Sequence, residues 1–191
     1  MNEHTYIIIG LGNKGSEYSI TRHNAGQIIL DELLGASDFE YDKYIHSDRA
    51  ELSTNHGSII CIKPDTYMNE SGQVIPLLIK KYGEVVPIIT HDELDTHLGE
   101  IKLSTVRGAG GHNGVKSILE YLPENTVSLR IRIGIAQVHD ERIVKPNVLD
   151  NFNSDELQTI KQLAPQIKLV LEMITERGVD YAVSAYTNKT P

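Results

Sequence analysis

The order of apolar runs and helical periods predicts an α/β protein: a single-domain, three-layer α/β/α sandwich on a mostly parallel, mixed central sheet. Three observations carry that prediction. Thr5 to Ile9 and Val85 to Thr90 are short, nearly unbroken apolar runs, as strands buried on both faces require. Between and after them, Ala25, Ile28, Ile29 and Leu33, and then Val74 to Tyr82, follow helical spacing. The length of 191 residues, with 40% hydrophobic and 23% charged residues, suits one domain with a full core and a soluble surface. Residues 1–191 are accordingly read as one unit, with 139–191 as a C-terminal flap and helical segment.

The elements follow in order. The first strand enters a glycine-broken loop, and the helix from Asn24 is ended by Gly35. Arg49 to Thr54 and Ser58 to Lys63 flank Asn55-His56-Gly57 as a hairpin. Pro64 stops the second arm, and the polar corner Asp65 to Gly72 precedes the helix closed by Gly83. The central strand ends at Thr90 and opens into the polar stretch His91-Asp92-Glu93-Leu94-Asp95. Glu100 to Thr105 alternates as a strand, and a second glycine-rich loop runs into a helix from Val115 to Leu122. Val127 to Ile135 alternates Leu129, Ile131 and Ile133 against Arg130 and Arg132, a strand with one charged face. Asn153 and Glu156 form a capping pair for a long helix interrupted by Pro165 and ending near Gly178.

Composition narrows the function classes. No apolar run reaches membrane-spanning length and the start lacks a basic region before its apolar run, so a cytoplasmic protein without membrane association is expected. The only cysteine, Cys61, lies in an apolar strand, which excludes disulfides and predicts a buried structural thiol. The formal net charge of -8 opposes a polyanionic partner at first sight. Yet Gly99 to Gly134 holds five Lys/Arg against three acids, while Asp31 to Ser58 holds seven acids against two basic residues. A basic face on an acidic body, including Lys102 and Arg132, is suited to a few phosphates.

The chemistry is read from the loops at 12–24, 65–72 and 91–95, each following a strand, which in an open α/β sheet gathers them on the carboxyl edge. Gly10-x-Gly12-x-x-Gly15 matches a dinucleotide-binding pattern, but helical periodicity begins only near Asn24, too late to aim a helix N-terminus at a pyrophosphate. The loops bring together His23, Asn13, Tyr18, Tyr67, Asn69, Asp92, His112 and Asn113. An imidazole beside a carboxylate is a general base with its orienting group, which assigns those roles to His23 and Asp92. The amides of Asn69 and Asn113 can donate to a developing oxyanion. No Ser or Cys stands in a nucleophile-elbow sequence, so water is the attacking group and the set fits ester or amide hydrolysis.

Gly10-Leu11-Gly12-Asn13 with Thr21 to Gly26, Lys63-Pro64-x-Thr66-Tyr67-Met68-Asn69-x-Ser71-Gly72, His91 to Asp95, Gly110 to Gly114 and Arg130 to Ile135 together resemble the bacterial-type peptidyl-tRNA hydrolases. The similarity runs from about Tyr6 to Phe152. It implies cleavage of the ester joining a peptide to the terminal ribose of tRNA, recycling tRNA from abandoned translation. It also implies that His23 activates water with Asp92 in support, and that Asn69 and Asn113 hold the substrate and stabilise the tetrahedral intermediate. Tyr18 and Tyr67 would line the site for the tRNA end, Asn13 would read the amide of the acylated amino acid, and His112 would shape the pocket. The implied protein is a monomer that binds RNA rather than DNA and needs no cofactor, with residues near Asn147 to Phe152 and the start of the following helix as a mobile flap over the peptide groove.

Lys14, Thr96-His97 and Arg107 depart from the pattern, and none carries an assigned chemical role. Two other functions compete: a catalytically silent RNA-binding relative, and an N-acyl ester hydrolase of small molecules. The complete set of His23, Asp92 and three Asn side chains opposes the first, and the basic stretch from Lys102 to Arg132 opposes the second. His23, Asp92 and His112 could in principle hold zinc, but no His-x-x-x-His spacing accompanies them and the surrounding amides are poor zinc ligands, so no metal is expected.

Overall fold

The computed structural model describes residues 5–187 apart from 106, 107, 140 and 141. In chain order the elements are β1 (Thr5–Gly10), α1 (Ala25–Leu34), β2 (Glu40–Asp42), β3 (Ser47–Thr54), β4 (Gly57–Pro64), α2 (Val74–Tyr82), β5 (Val85–His97) and β6 (Ile101–Thr105). They continue with α3 (Asn113–Tyr121), β7 (Leu129–His139), β8 (Arg142–Val144), α4 (Ser154–Lys161), α5 (Ala164–Arg177) and α6 (Val179–Thr187). The sheet order is β2-β3-β4-β1-β5-β7-β6, with β8 added to β7. Its centre, β4-β1-β5-β7, is parallel, and the flanking pairings are antiparallel.

Strand alternation builds two cores from one sheet. Ile8 points with Val86, Ile88 and Cys61 toward α1, α5 and α6, whereas Ile7 and Ile9 point with Ile62 and Ile89 toward α2 and α3. Ile7, Ile8 and Ile9 are all fully buried, each contributing about 1.5–3 kcal/mol relative to exposure. Their unbroken run in the sequence follows from this covering on both faces.

Two sequence expectations change. The stretch 91–95 is not a loop: β5 continues to His97, pairing with β7 through Glu93↔Gly134 and, after a register shift, His97↔Ala136. A polar sequence is held extended here by its neighbour strand, and Gly134 makes room, since a Cβ there would lie 2.0 Å from the His97 carbonyl oxygen. The C-terminal helix is interrupted near Pro165 and ends at Gly178 as read, but the break falls just before the proline, between α4 and α5, and Pro165 lies in the first turn of α5, where a missing N–H costs nothing. A third helix, α6, follows Gly178 and packs back on α5. The capping pair is present as read: Asn153 Oδ1 accepts from the Glu156 N–H at 2.9 Å, and Glu156 Oε2 from the Asn153 N–H at 2.8 Å.

Gly26 sets how closely α1 approaches the end of the sheet. A Cβ there would lie 2.3 Å from the Thr90 carbonyl oxygen and 2.6 Å from the Leu11 nitrogen. Both obstacles are backbone atoms tied to each other by the Leu11 N–H to Thr90 O bond of 3.0 Å. Gly26→Ala is therefore expected to destabilise by about 1–3 kcal/mol through overpacking. For a chain of this size that lowers the melting temperature by roughly 2–12 °C. Gly108→Ala, whose added Cβ meets nothing within 4 Å, should leave it unchanged in the same calorimetric scan.

Candidate active site

The site is assembled around Asp92. This residue lies in β5, is 3% exposed, and its Oδ1 is shared by two imidazoles, 2.8 Å from His23 Nδ1 and 2.9 Å from His112 Nε2. His23 is carried by a short 3-10 turn, Arg22–Asn24, that leads directly into α1. Its backbone N–H donates to Val148 O at 2.8 Å, so the turn is held from the C-terminal side of the chain as well. His112 caps α3: its Nδ1 accepts from the Val115 N–H at 3.3 Å. Accepting at Nδ1 leaves the proton on Nε2, which makes His112 a donor to Asp92.

These contacts set the carboxylate's charge. Burial works to raise the Asp92 pKa, but the hydrogen bonds from His112 and His23 outweigh it and hold the group well below the usual carboxylate range. An ionised Asp92 takes the Nδ1 proton of His23 as a hydrogen bond, so the basic lone pair of the neutral ring is at Nε2.

Behind this pair lies a layer that sequence reasoning left without a role. His91 Nδ1 donates to the Asp92 carbonyl oxygen at 2.6 Å, and its Nε2 accepts from Arg130 Nε at 3.1 Å. Burial, then the nearby His112, push the His91 pKa well below its ordinary value, so His91 is a neutral spacer between the carboxylate strand and a cation. Arg130 donates in turn to Gly108 O at 2.7 Å. The alternating period of β7 had marked Arg130 and Arg132 as one face, but only the parallel pairing with β5 sets Arg130 against His91.

His23, His91, Asp92, His112 and Asn113 line one cavity of about 280 Å³, with Lys145 and Val148 on its C-terminal side. A larger cavity of about 660 Å³ opens at the opposite edge of the sheet, among Tyr6, Gly83, Leu122 and Gly178, but its lining contains no imidazole. The chemistry therefore belongs to the smaller one. Asn13 is buried and does not line it: its Oδ1 accepts from the Met68 N–H at 2.8 Å, and its backbone is clasped by Asn24 through two 2.9 Å bonds. Asn24, in the same motif as His23, went unassigned in the sequence.

Other expected residues stand further out. Tyr67 is 46% exposed with the Lys14 ammonium 5.1 Å above its ring, and Lys14 N–H donates to Thr66 O at 3.0 Å, joining the first two loops. Asn69 is exposed in the Met68–Gln73 turn and caps neither that turn nor α2. Tyr18 is half-buried in the Ser16–Tyr18 turn and, like Tyr67 and Asn69, does not line the cavity. Lys102 and Arg132 are direct cross-strand partners, side by side on the sheet face that carries α3. Arg132 reaches Glu93 at 3.4 Å. Of the departures, Thr96-His97 lies within β5, and Arg107 falls outside the described residues.

Cys61 is fully buried, and burial pushes its thiol up to about 12, which removes it as a nucleophile. The ligand atoms of His23, Asp92 and His112 lie within 4.8 Å of one another, the one group among the described residues that could surround a single ion. In this structure those atoms serve one another as hydrogen-bond partners. No helix among the described residues is long and apolar enough to cross a membrane.

Fold and site thus define a mixed α/β protein whose carboxyl edge presents a His–Asp pair flanked by amides. The chain belongs to the peptidyl-tRNA hydrolase family, whose model matches residues 7–191. It is 36% identical over 182 residues to a peptidyl-tRNA hydrolase of Fervidobacterium nodosum, covering 95% of this chain and 96% of the relative. A peptidyl-tRNA hydrolase crystallised with N-propanol superposes with a TM-score of 0.78 at 31% identity, covering 94% of this chain and 93% of the other. That of Acinetobacter baumannii gives 0.75 at 32% identity, with the same coverage of both chains.

Because its folded-state pKa is depressed, Asp92 contributes stability that is present above the ordinary carboxylate pKa of about 3.9 and is lost as pH falls through the depressed value. The stability gap between wild type and Asp92→Asn should accordingly be full at neutral pH and narrow as pH drops below about 4. Urea unfolding below about pH 4 measures it, and a gap that widens on acidification within that interval would contradict the ionised carboxylate.

Proposed function

We propose that the chain hydrolyses the ester between a peptide and the 3′-terminal ribose of tRNA, with His23 as general base, returning free tRNA to translation. The observation that carries this reading is the 2.8 Å bond from His23 Nδ1 to a buried carboxylate at the mouth of the cavity, in a member of this family. With Nδ1–H committed to Asp92, Nε2 takes a proton from water as the oxygen attacks the ester carbonyl. Asp92 stabilises the resulting imidazolium. The tetrahedral oxyanion is met by the amide of Asn113 and by the N-terminus of α3, whose partial positive charge suits it. Collapse returns the Nε2 proton to the ribose oxygen, and the peptide leaves as a carboxylate.

Asn13 supplies discrimination. With its Oδ1 occupied by the Met68 N–H, its Nδ2 hydrogens remain as donors for a peptide carbonyl, a group that aminoacyl-tRNA with a free amine lacks. Asn69 extends the polar contacts to the substrate, and Tyr67 and Tyr18 offer rings to the acceptor end, as aromatic side chains do for unstacked bases. Lys102 and Arg132 provide phosphate contacts. The protein acts as a cytoplasmic monomer without cofactor or metal. The segment 147–152 covers one side of the groove, anchored to the His23 turn by backbone bonds from Arg22 to Asp150, His23 to Val148 and Phe152 to Ile20.

The deciding assay offers N-blocked aminoacyl-tRNA, free aminoacyl-tRNA and a simple N-acyl amino acid ester, without added metal. Release from the first alone is expected. Release only from the small ester would replace the reading with a small-molecule esterase, and release from none would favour a silent RNA binder. His23→Ala should lower kcat about a hundred- to ten-thousand-fold. Lys102→Ala and Arg132→Ala should raise KM and reduce its salt dependence with kcat nearly intact. Near-wild-type turnover of His23→Ala at saturating substrate would remove His23 from the mechanism.

A further inference from the structure

We propose that the buried ion pair between Arg22 and Glu156 positions the catalytic imidazole, fixing the direction in which His23 leaves the backbone. The proposal rests on His23 being the base. Arg22 is 7% exposed and Glu156 6%, and Arg22 Nη2 lies 2.7 Å from Oε1 and 2.8 Å from Oε2 of that carboxylate. Nη2 alone meets both carboxylate oxygens while Nη1 is held separately by main-chain carbonyls, so the guanidinium is fixed in direction by two of its nitrogens on different partners.

The other contacts of Arg22 tie the same two segments together. Arg22 Nη1 donates to the carbonyl oxygens of Asp150 and Asn151, and its guanidinium carbon stands 5.2 Å from the Phe152 ring centroid. Thr21 and Asn151 form an isolated antiparallel bridge, flanked by the backbone bonds that link residues 20–23 to 148–152. On the far side, Gln137 of β7 donates to Glu156 Oε1, and the Asn153 capping box fixes Glu156 at the start of α4. α4 is anchored in turn by fully buried Ile160. The chain thus carries a rigid path from the helical layer through Glu156 and Arg22 to His23, the next residue.

The arrangement has a functional reason beyond stability. His23 sits on a three-residue turn, and its ring is tied to Asp92 by a single hydrogen bond, which leaves Nε2 free to swing about that contact. A buried charge pair is a poor way to gain stability, since apolar residues of similar volume often do as well. It is a good way to hold a turn to the tolerance of about 0.5 Å that a catalytic group needs.

The test removes both charges together, so that neither is left buried and unpaired, in Arg22→Met with Glu156→Leu. This double variant should melt below the wild type, because the capping bond to Asn153 and the bonds to Gln137, Asp150 and Asn151 are lost with the charges; assayed well below its melting temperature, its kcat on N-blocked aminoacyl-tRNA should fall about ten- to a hundredfold, the cost of displacing a base by about an ångström. KM should be unchanged, because Lys102 and Arg132 are untouched. The low-field proton resonance of the His23 Nδ1–H to Asp92 bond, identified by its loss in His23→Ala, should broaden or disappear. Glu156→Asp keeps the charge and shortens its reach by one methylene, and should show the same fall in kcat at constant KM to a smaller degree. A double variant with wild-type kcat would reduce the pair to a structural element and overturn the proposal. If the double variant does not fold, wild-type kcat in Glu156→Asp overturns it equally. His23→Ala is run alongside: if it remains active the reading of the base has failed, whereas an inactive His23→Ala beside fully active pair variants means that only the positioning role has.

Discussion

One carboxylate oxygen governs the site. Asp92 Oδ1 receives both His23 and His112, so two histidines from distant parts of the chain are oriented by a single acceptor. A carboxylate so little exposed would take up a proton without compensation, because burial penalises its charge. Two donors within 3 Å reverse that balance and keep it ionised. The ionised form is what a histidine base requires, and the two histidines are also what keep it ionised. Each partner therefore supports the other: the histidines favour the charge, and the charge holds the Nδ1 proton of His23.

The sheet makes that convergence possible. Parallel pairing of β4, β1, β5 and β7 sends all their carboxyl ends in one direction, which puts the turn before α1, the part of β5 just past the end of β1 and the start of α3 at the same edge. Gly26 lets α1 approach until its backbone nearly touches Thr90 and Leu11, which brings the preceding His23 within reach of Asp92. The antiparallel addition of β6 to β7 then places Lys102 beside Arg132 on the face that carries α3. An acidic chain thereby presents a local cationic surface next to its cavity, where field and contact act over the short range that screening allows.

His91 and Arg130 show a second kind of constraint. A buried guanidinium next to a functional carboxylate would compete with the histidines for its charge. The neutral ring of His91 stands between them, accepting from Arg130 at one nitrogen and donating to the Asp92 main chain at the other. Oδ1 stays with His23 and His112, and Arg130 bonds His91 instead.

Elements whose identity depends on local pattern were legible in the sequence. The buried runs of β1 and β5, the hairpin at Asn55-His56-Gly57, the capping pair Asn153–Glu156 and the glycine ends at Gly35 and Gly83 follow from periodicity, capping and backbone freedom, which act over a few residues. The pairing of His23 with Asp92 was legible too, because a titratable ring just after β1 and a carboxylate just past the point where β5 leaves β1 fall at one edge of a parallel pair. What tertiary structure alone decided is of another kind. That His91 to His97 stay extended, that Asp92 serves His112 as well as His23, that His91 faces Arg130, and that Arg22 meets Glu156 across more than a hundred residues all depend on register between strands and on the docking of the C-terminal helices. Residue types in sequence state which hydrogen bonds are possible. Only the packed fold, by burying some donors and acceptors and leaving few partners within reach of each, determines which are made.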